Sequence, residues 1–349
     1  MKRRSLIQSM AAAAAASALP FSASQAASAD PSRQAIKPRP LEPRMTVAVI
    51  APASPPSEPE RVRYGIEVVE SLGFEVRQGK HLWERDQYLA GSDQQRAEDV
   101  NRAFGDPDID AIFCLRGGYG TMRTLPYLDY DLIAKNPKII TGFSDITGII
   151  NPIHARTGLV TFHGPVAEQS FSEYTLEEYR KVMVNPAAPV TIASPPPFEA
   201  GEGQVEFDNR ITRFVGGKAR GRLVGGNLTL LAHLVGTPYE PDFRDRILFL
   251  EDVDEAPYRI DRMLTHLWLA GRLQQCAGIA LGKFTRSNDD GNTFTLEEVF
   301  QQRFEELGLP CIRGLMIGHV RDRASVPLGV MAELDADAGT LTLLETAVS

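Results

Sequence analysis

The stretch GFSDITGII, Gly142–Ile150, sets a serine and an aspartate just past the run KII, Lys138–Ile140, and Thr141. Two readings of Ser144 compete. It caps the helix that follows, a common role for serine, or it is a nucleophile held on a sharp strand-to-helix turn. Such a turn needs small neighbours, and Gly142 supplies one. Ile146 stands where a G-x-S-x-G elbow would have its second glycine. A serine nucleophile also needs a base, and the base an orienting carboxylate. Of the six histidines, His154, His233 and His266 fall in predicted helices, and His81 follows an early strand without a partner motif. His163 in TFHGP and His319 in GHV remain as bases. Glu251, after the apolar run ILFL, is the candidate carboxylate, with Asp252 as its rival. The loop RGGYG, Arg116–Gly120, can present backbone N–H groups to an anion. It reads as a tight turn, as a phosphate cradle without the Lys-Ser/Thr pair of a P-loop, or as an oxyanion hole.

These residues require elements to position them. MTVAVIAPAS, FEVRQG, IDAIFCLRGG, PKIITGFSD and LVTFHGP read as five strands, and helical periodicity separates them. Ser92 is the expected cap of one such helix. The alternation predicts a doubly wound, mostly parallel sheet with helices on both faces. Ligands in such sheets bind beyond the carboxyl ends of strands, where CLRGGYGT, GFSDIT and TFHGP lie. A Pro- and Gly-rich connection at residues 191–205 separates this N-terminal α/β domain, 45–190, from a smaller mixed α/β C-terminal domain, 206–349. The latter carries Glu251 and His319 and ends in a hairpin turned by DADAG.

The chain has 349 residues and a formal net charge of -8. With no basic patch, nucleic acid is excluded as an expected partner. Three scattered cysteines, Cys114, Cys276 and Cys311, do not make a disulfide framework or a metal site. Residues 1–29 have a basic start, an alanine-rich apolar stretch and a small-residue end, the pattern of a signal peptide. Arg3 and Arg4 followed by Ser5, Leu6 and Ile7 are similar to a twin-arginine signal, with a Sec signal as the alternative. The stretch is too short and too poor in Leu and Ile for a stable membrane anchor. The expected location is therefore periplasmic. Residues 30–44 read as a proline-rich linker.

The order of motifs resembles the LD-carboxypeptidase, or muramoyltetrapeptide carboxypeptidase, family of serine peptidases. The carriers are VAVIAPAS, LRGGYGTMRTLPYLD, GFSDIT, TFHGP, GGNLTLL, FLEDVDEAPYRIDRML and GHV…VPLG, spanning about Met45 to Glu345. The resemblance implies Ser144 as nucleophile, Glu251 as orienting carboxylate and His319 as base. It also implies an oxyanion hole from the backbone N–H groups of Asp145 and Gly118, in a loop that includes Gly117. No metal or organic cofactor is implied. The implied substrate is a murein tetrapeptide losing its terminal D-alanine, with Arg116 or a neighbouring N–H group expected to hold the terminal carboxylate. A homodimer is left open. Family members of the microcin-immunity type cleave other amides and form one alternative; an exported peptide-binding protein without catalysis forms another. Arg321 and Arg323 depart from the small loop expected after His319, and are expected to bear on substrate choice.

Overall fold

The computed structural model describes residues 35–287, 291 and 293–349, so the expected signal peptide lies outside the described residues. The first half contains β1 (Thr46–Ile50), β2 (Glu75–Gln78), β3 (Ala111–Cys114), β4 (Ile139–Gly142) and β5 (Phe162–His163). Their neighbour order is β5-β4-β3-β1-β2, all parallel. Between them run α1 (Pro59–Ser71), α2 (Asp93–Gly105), the short α3 (Thr121–Thr124), α4 (Tyr130–Lys135) and α5 (Thr147–Thr157), with α6 (Glu173–Tyr179) after β5. β3 and β4 are buried throughout, which explains their uninterrupted apolar runs. Ser92 caps α2: its Oγ accepts the Gln95 N–H at 3.2 Å, and the Gln95 side chain accepts the Ser92 N–H at 2.8 Å.

The second half forms an eight-stranded sheet, larger than the six-stranded first one. It adds β6 (Val190–Ile192), β7 (Thr212–Val215), β8 (Lys218–Asn227), β9 (Arg246–Val253), β10 (Gly278–Thr285) and β11 (Cys311–Arg313). β12 (Val326–Pro327) pairs instead with β5 of the first sheet, and β13 (Met331–Asp335) and β14 (Thr340–Leu343) complete the second. Its centre, β8-β9-β10-β11, is parallel, and its flanks are antiparallel. Strands at both edges of the Pro- and Gly-rich connection, β6 and β7, join this sheet. The helices α7 (Leu228–Leu234), α8 (Pro257–Leu269) and α9 (Leu296–Leu307) accompany it.

Strand alternation decides which way β9 presents its side chains. Ile247 and Phe249 join the large core shared with the first sheet, whereas Leu248 and Leu250 join a second core with α8 and α9. Glu251 continues the first set and so faces the first sheet; Asp252 continues the second. The stretch read as a linker is packed from Ala35 onward. Ile36 bonds Gly158 and Val160, Leu41 is buried, and Lys37 pairs with Glu345 at 3.1 Å.

Candidate active site

Ser144 stands immediately beyond β4 with φ at +63°. Left-handed backbone costs a residue with a Cβ roughly 1–2 kcal/mol, and such strain gathers at functional positions. Ser144 begins a 3₁₀ turn that runs into α5, and neither element has a side-chain cap. Ser144 thus begins the helical turn, but Phe143 holds the cap position before it, so the capping role is corrected: the serine hydroxyl accepts no N–H of the turn. Ile146 folds back over Gly142, where an added Cβ would lie 2.8 Å from Ile146 Cγ2. The elbow thus keeps its first glycine and replaces the second.

Glu251 is fully buried on β9, and its Oε2 lies 2.7 Å from His319 Nδ1. His319 follows β11 in a loop turned by Gly318, whose φ is +116°; a Cβ there would sit 2.6 Å from Glu251 Oε2. The glycine is what lets the loop lie against the carboxylate. Burial pushes the Glu251 carboxyl up, but His163 and His319 outweigh it and hold it well below the usual carboxylate range. His163 Nε2 is 3.5 Å from Glu251 Oε1, an approach rather than a hydrogen bond. Asp252, the rival carboxylate, turns to the opposite face. It accepts from Asn227 Nδ2 at 2.9 Å and from Thr229 N–H at 3.0 Å, and burial with the adjacent Glu251 charge pushes it up to about 6.

Ser144, His319, Phe143, Arg116, Gly117 and Gly118 line one cavity of about 230 Å³. The carboxyl ends of β3 and β4 thus meet the His319 loop, and β9 reaches them from the other sheet through its buried Glu251. Asp145 is buried; its Oδ2 accepts the Thr121 N–H at 2.9 Å and its carbonyl accepts the Thr121 hydroxyl at 2.6 Å. Its side chain thereby fixes the start of α3, while its backbone N–H lies beside Gly117: a Cβ on that glycine would be 3.3 Å from it. The buried Arg96 props the glycine loop, donating to the carbonyls of Gly120 at 2.8 Å and Pro52 at 2.6 Å.

Two domain descriptions match the chain: LD-carboxypeptidase N-terminal domain over residues 47–164 and LD-carboxypeptidase C-terminal domain over residues 220–334. A probable murein peptide carboxypeptidase of Bacillus subtilis is 39% identical over 90% of this chain and 95% of its own. The chain belongs to the LD-carboxypeptidase family. The murein tetrapeptide carboxypeptidase of Pseudomonas aeruginosa is 35% identical over 83% of this chain and 93% of its own. Among solved structures, the microcin C7 self-immunity protein MccF superposes with a TM-score of 0.82 at 28% identity, covering 90% of this chain and all of that one.

The LD-carboxypeptidase cavity holds residues that motif reasoning missed. Arg61 Nε lies 3.0 Å from Glu168 Oε1, and Arg116 Nε lies 3.4 Å from Glu168 Oε2. One carboxylate thus sits between two guanidiniums beside Ser144. Glu168 follows TFHGP by only three residues, and its place at a strand end was the available signal. Burial pushes its carboxyl up, and the arginines oppose that. Arg323 reaches the site at one remove: its guanidinium lies 4.5 Å from the centre of the Phe143 ring and bonds Gln169, and burial pushes its pKa down to about 10. Arg321 is exposed. Arg323 thus braces the aromatic wall behind Ser144.

Proposed function

We propose that this chain is a serine-type L,D-carboxypeptidase that removes the terminal D-alanine of murein tetrapeptides. The observation that carries the reading is the 2.7 Å contact of Glu251 with His319, on a histidine that shares its cavity with the strained Ser144. With Nδ1 engaged by Glu251, His319 has Nε2 left for the serine. In the proposed reaction Nε2 takes the Ser144 proton as Oγ bonds to the carbonyl carbon of the diamino acid. The carbonyl oxygen becomes an oxyanion, held by backbone N–H groups at Asp145 and Gly118. Collapse breaks the C–N bond, and His319 returns the proton to the departing D-alanine nitrogen. Water then adds to the acyl-enzyme with His319 again as base, and releases the shortened peptide and free Ser144. The names of the relatives from Bacillus and Pseudomonas support the substrate class. The amino-terminal signal pattern supports export to the periplasm, beside murein fragments.

The deciding experiment compares a tetrapeptide ending in D-alanine with its L-alanine epimer. Inverting Cα exchanges methyl group and hydrogen, so a site that fixes the terminal carboxylate rejects one isomer. The D-form is expected to be hydrolysed with a kcat/KM at least about tenfold higher. Equal constants would reject the reading. The similarity to MccF favours a second reading, cleavage of other amides. MccF has been crystallised with aspartyl sulfamoyl adenosine, and faster turnover of that compound than of tetrapeptide would favour it.

A further inference from the structure

His163 lies on β5, in register with Gly142 of β4 and Val326 of β12. It is 1% exposed, and neither ring nitrogen has a hydrogen-bond partner among the described residues; nor has Glu251 Oε1, which its Nε2 faces at 3.5 Å. Its ring is held edge to face by two aromatics, Phe143 with centroids 6.0 Å apart and Phe249 at 5.5 Å. Phe143 also packs on His319, at 4.8 Å. The buried Glu251 therefore sits between two imidazoles, one on each oxygen, both fixed by the phenyl ring that precedes the nucleophile.

We infer that His163 is a positioning residue for the hydrolysis: its Nε2–H holds Glu251 Oε1 while His319 holds Oε2. The inference rests on the serine-peptidase reading above. A core position between two phenylalanines would suit an apolar ring, and a histidine with two unpartnered nitrogens is a costly choice there. The cost is offset if one nitrogen serves the only other unsatisfied polar atom of the carboxylate beside it. Donation places the proton on Nε2 and leaves Nδ1 as the bare acceptor. The separation must shorten by roughly half an ångström to reach ordinary N–H···O length, and hydrogen bonds of this kind tighten when substrate binds. No proton is transferred. His163 keeps Glu251 from rotating when His319 becomes an imidazolium and pulls on Oε2. The clamp also ties the carboxylate of the second sheet to the strand beside the nucleophile strand, in the first.

The test uses the full chain and three variants. His163→Phe keeps the ring and its packing but removes the donor. His163→Met is a second apolar choice that adapts to irregular space. His163→Gln places an amide N–H near the position of Nε2. For tetrapeptide hydrolysis, the Phe and Met variants are expected to lose roughly 10- to 100-fold in kcat with KM within about twofold, as for a lost hydrogen bond to a charged group. The Gln variant is expected to recover most of kcat at the same Tm as His163→Phe. Wild-type kcat in the Phe or Met variant would overturn the inference. So would a Gln variant as slow as the apolar ones. Ser144→Ala and Glu251→Gln, run alongside, separate this failure from a wider one: if they too hydrolyse normally, the serine mechanism itself falls.

Discussion

Gly117 lies so close to Ser144 that a methyl group on it would stand 2.9 Å from the serine Cβ and 3.2 Å from Oγ. The glycine loop after β3 therefore touches Ser144, and the space between is already closed. Gly117 is outside the residues with positive φ, so alanine is allowed by its backbone. Gly117→Ala should still fold, with a Tm a few degrees lower, because the Ser144 turn must shift to admit the methyl. It should lose on the order of 100-fold or more in kcat, because the added methyl crowds both Oγ and the Asp145 N–H. Steady-state kinetics with thermal melting checks this; normal turnover would remove the loop from the oxyanion site.

Arg116 offers a second prediction. Its charge is shared with Glu168, but Arg61 also leans on that carboxylate, so the trio carries one net positive charge. If Arg116 holds the terminal carboxylate, Arg116→Ala should lower kcat/KM for the free tetrapeptide acid by about 10- to 200-fold. It should change little for the C-terminal amide of the same peptide, which offers no charge to lose. Equal losses on acid and amide would assign the arginine to structure instead.

Acid stability should report on His154, far from the chemistry. Burial pushes its pKa down to about 4, the Leu159 carbonyl opposes this, and Arg246 and Arg222 add to it. The folded value lies below the unfolded one of about 6.5, so between the two the unfolded chain binds more protons. The stability this group contributes is complete above about pH 6.5 and is lost as pH falls toward 4. Tm measured across that range should therefore decline more steeply for the wild type than for His154→Gln. Parallel curves would contradict a half-buried imidazole held neutral.

Export can be tested independently of catalysis. Replacing Arg3 and Arg4 together by lysine should leave the precursor in the cytoplasm, because twin-arginine routes read that pair, whereas a Sec signal needs only positive charge. Cell fractionation reads the outcome, and normal periplasmic accumulation would point to Sec.

Much of the site was legible because its parts are local. The apolar runs of β3 and β4 and the glycines after them placed RGGYG and Ser144 at neighbouring strand ends before any coordinates. The alternation along ILFLEDV also settles Glu251 over Asp252, once it is known which face of β9 meets the first sheet. That knowledge is not local. His319 meets Glu251 across 68 positions of sequence, and no periodicity reports such a pairing. The Arg61–Glu168–Arg116 cluster joins three separate segments for the same reason. The two-residue strand β12 leaves too little pattern to read, and the packed segment after Ala35 has the proline content of a linker but makes tertiary hydrogen bonds.

β12 has one more consequence. Leu328 N–H still bonds Thr161 beside the first sheet, and the next residue, Gly329, already bonds Leu223 on the second. At this crossing the chain is spliced into both sheets within two residues, which ties the two layers together there. Ser144 of one layer and Glu251 of the other are carried by elements joined at this crossing. Less binding energy is then needed to bring the two layers together around a ligand.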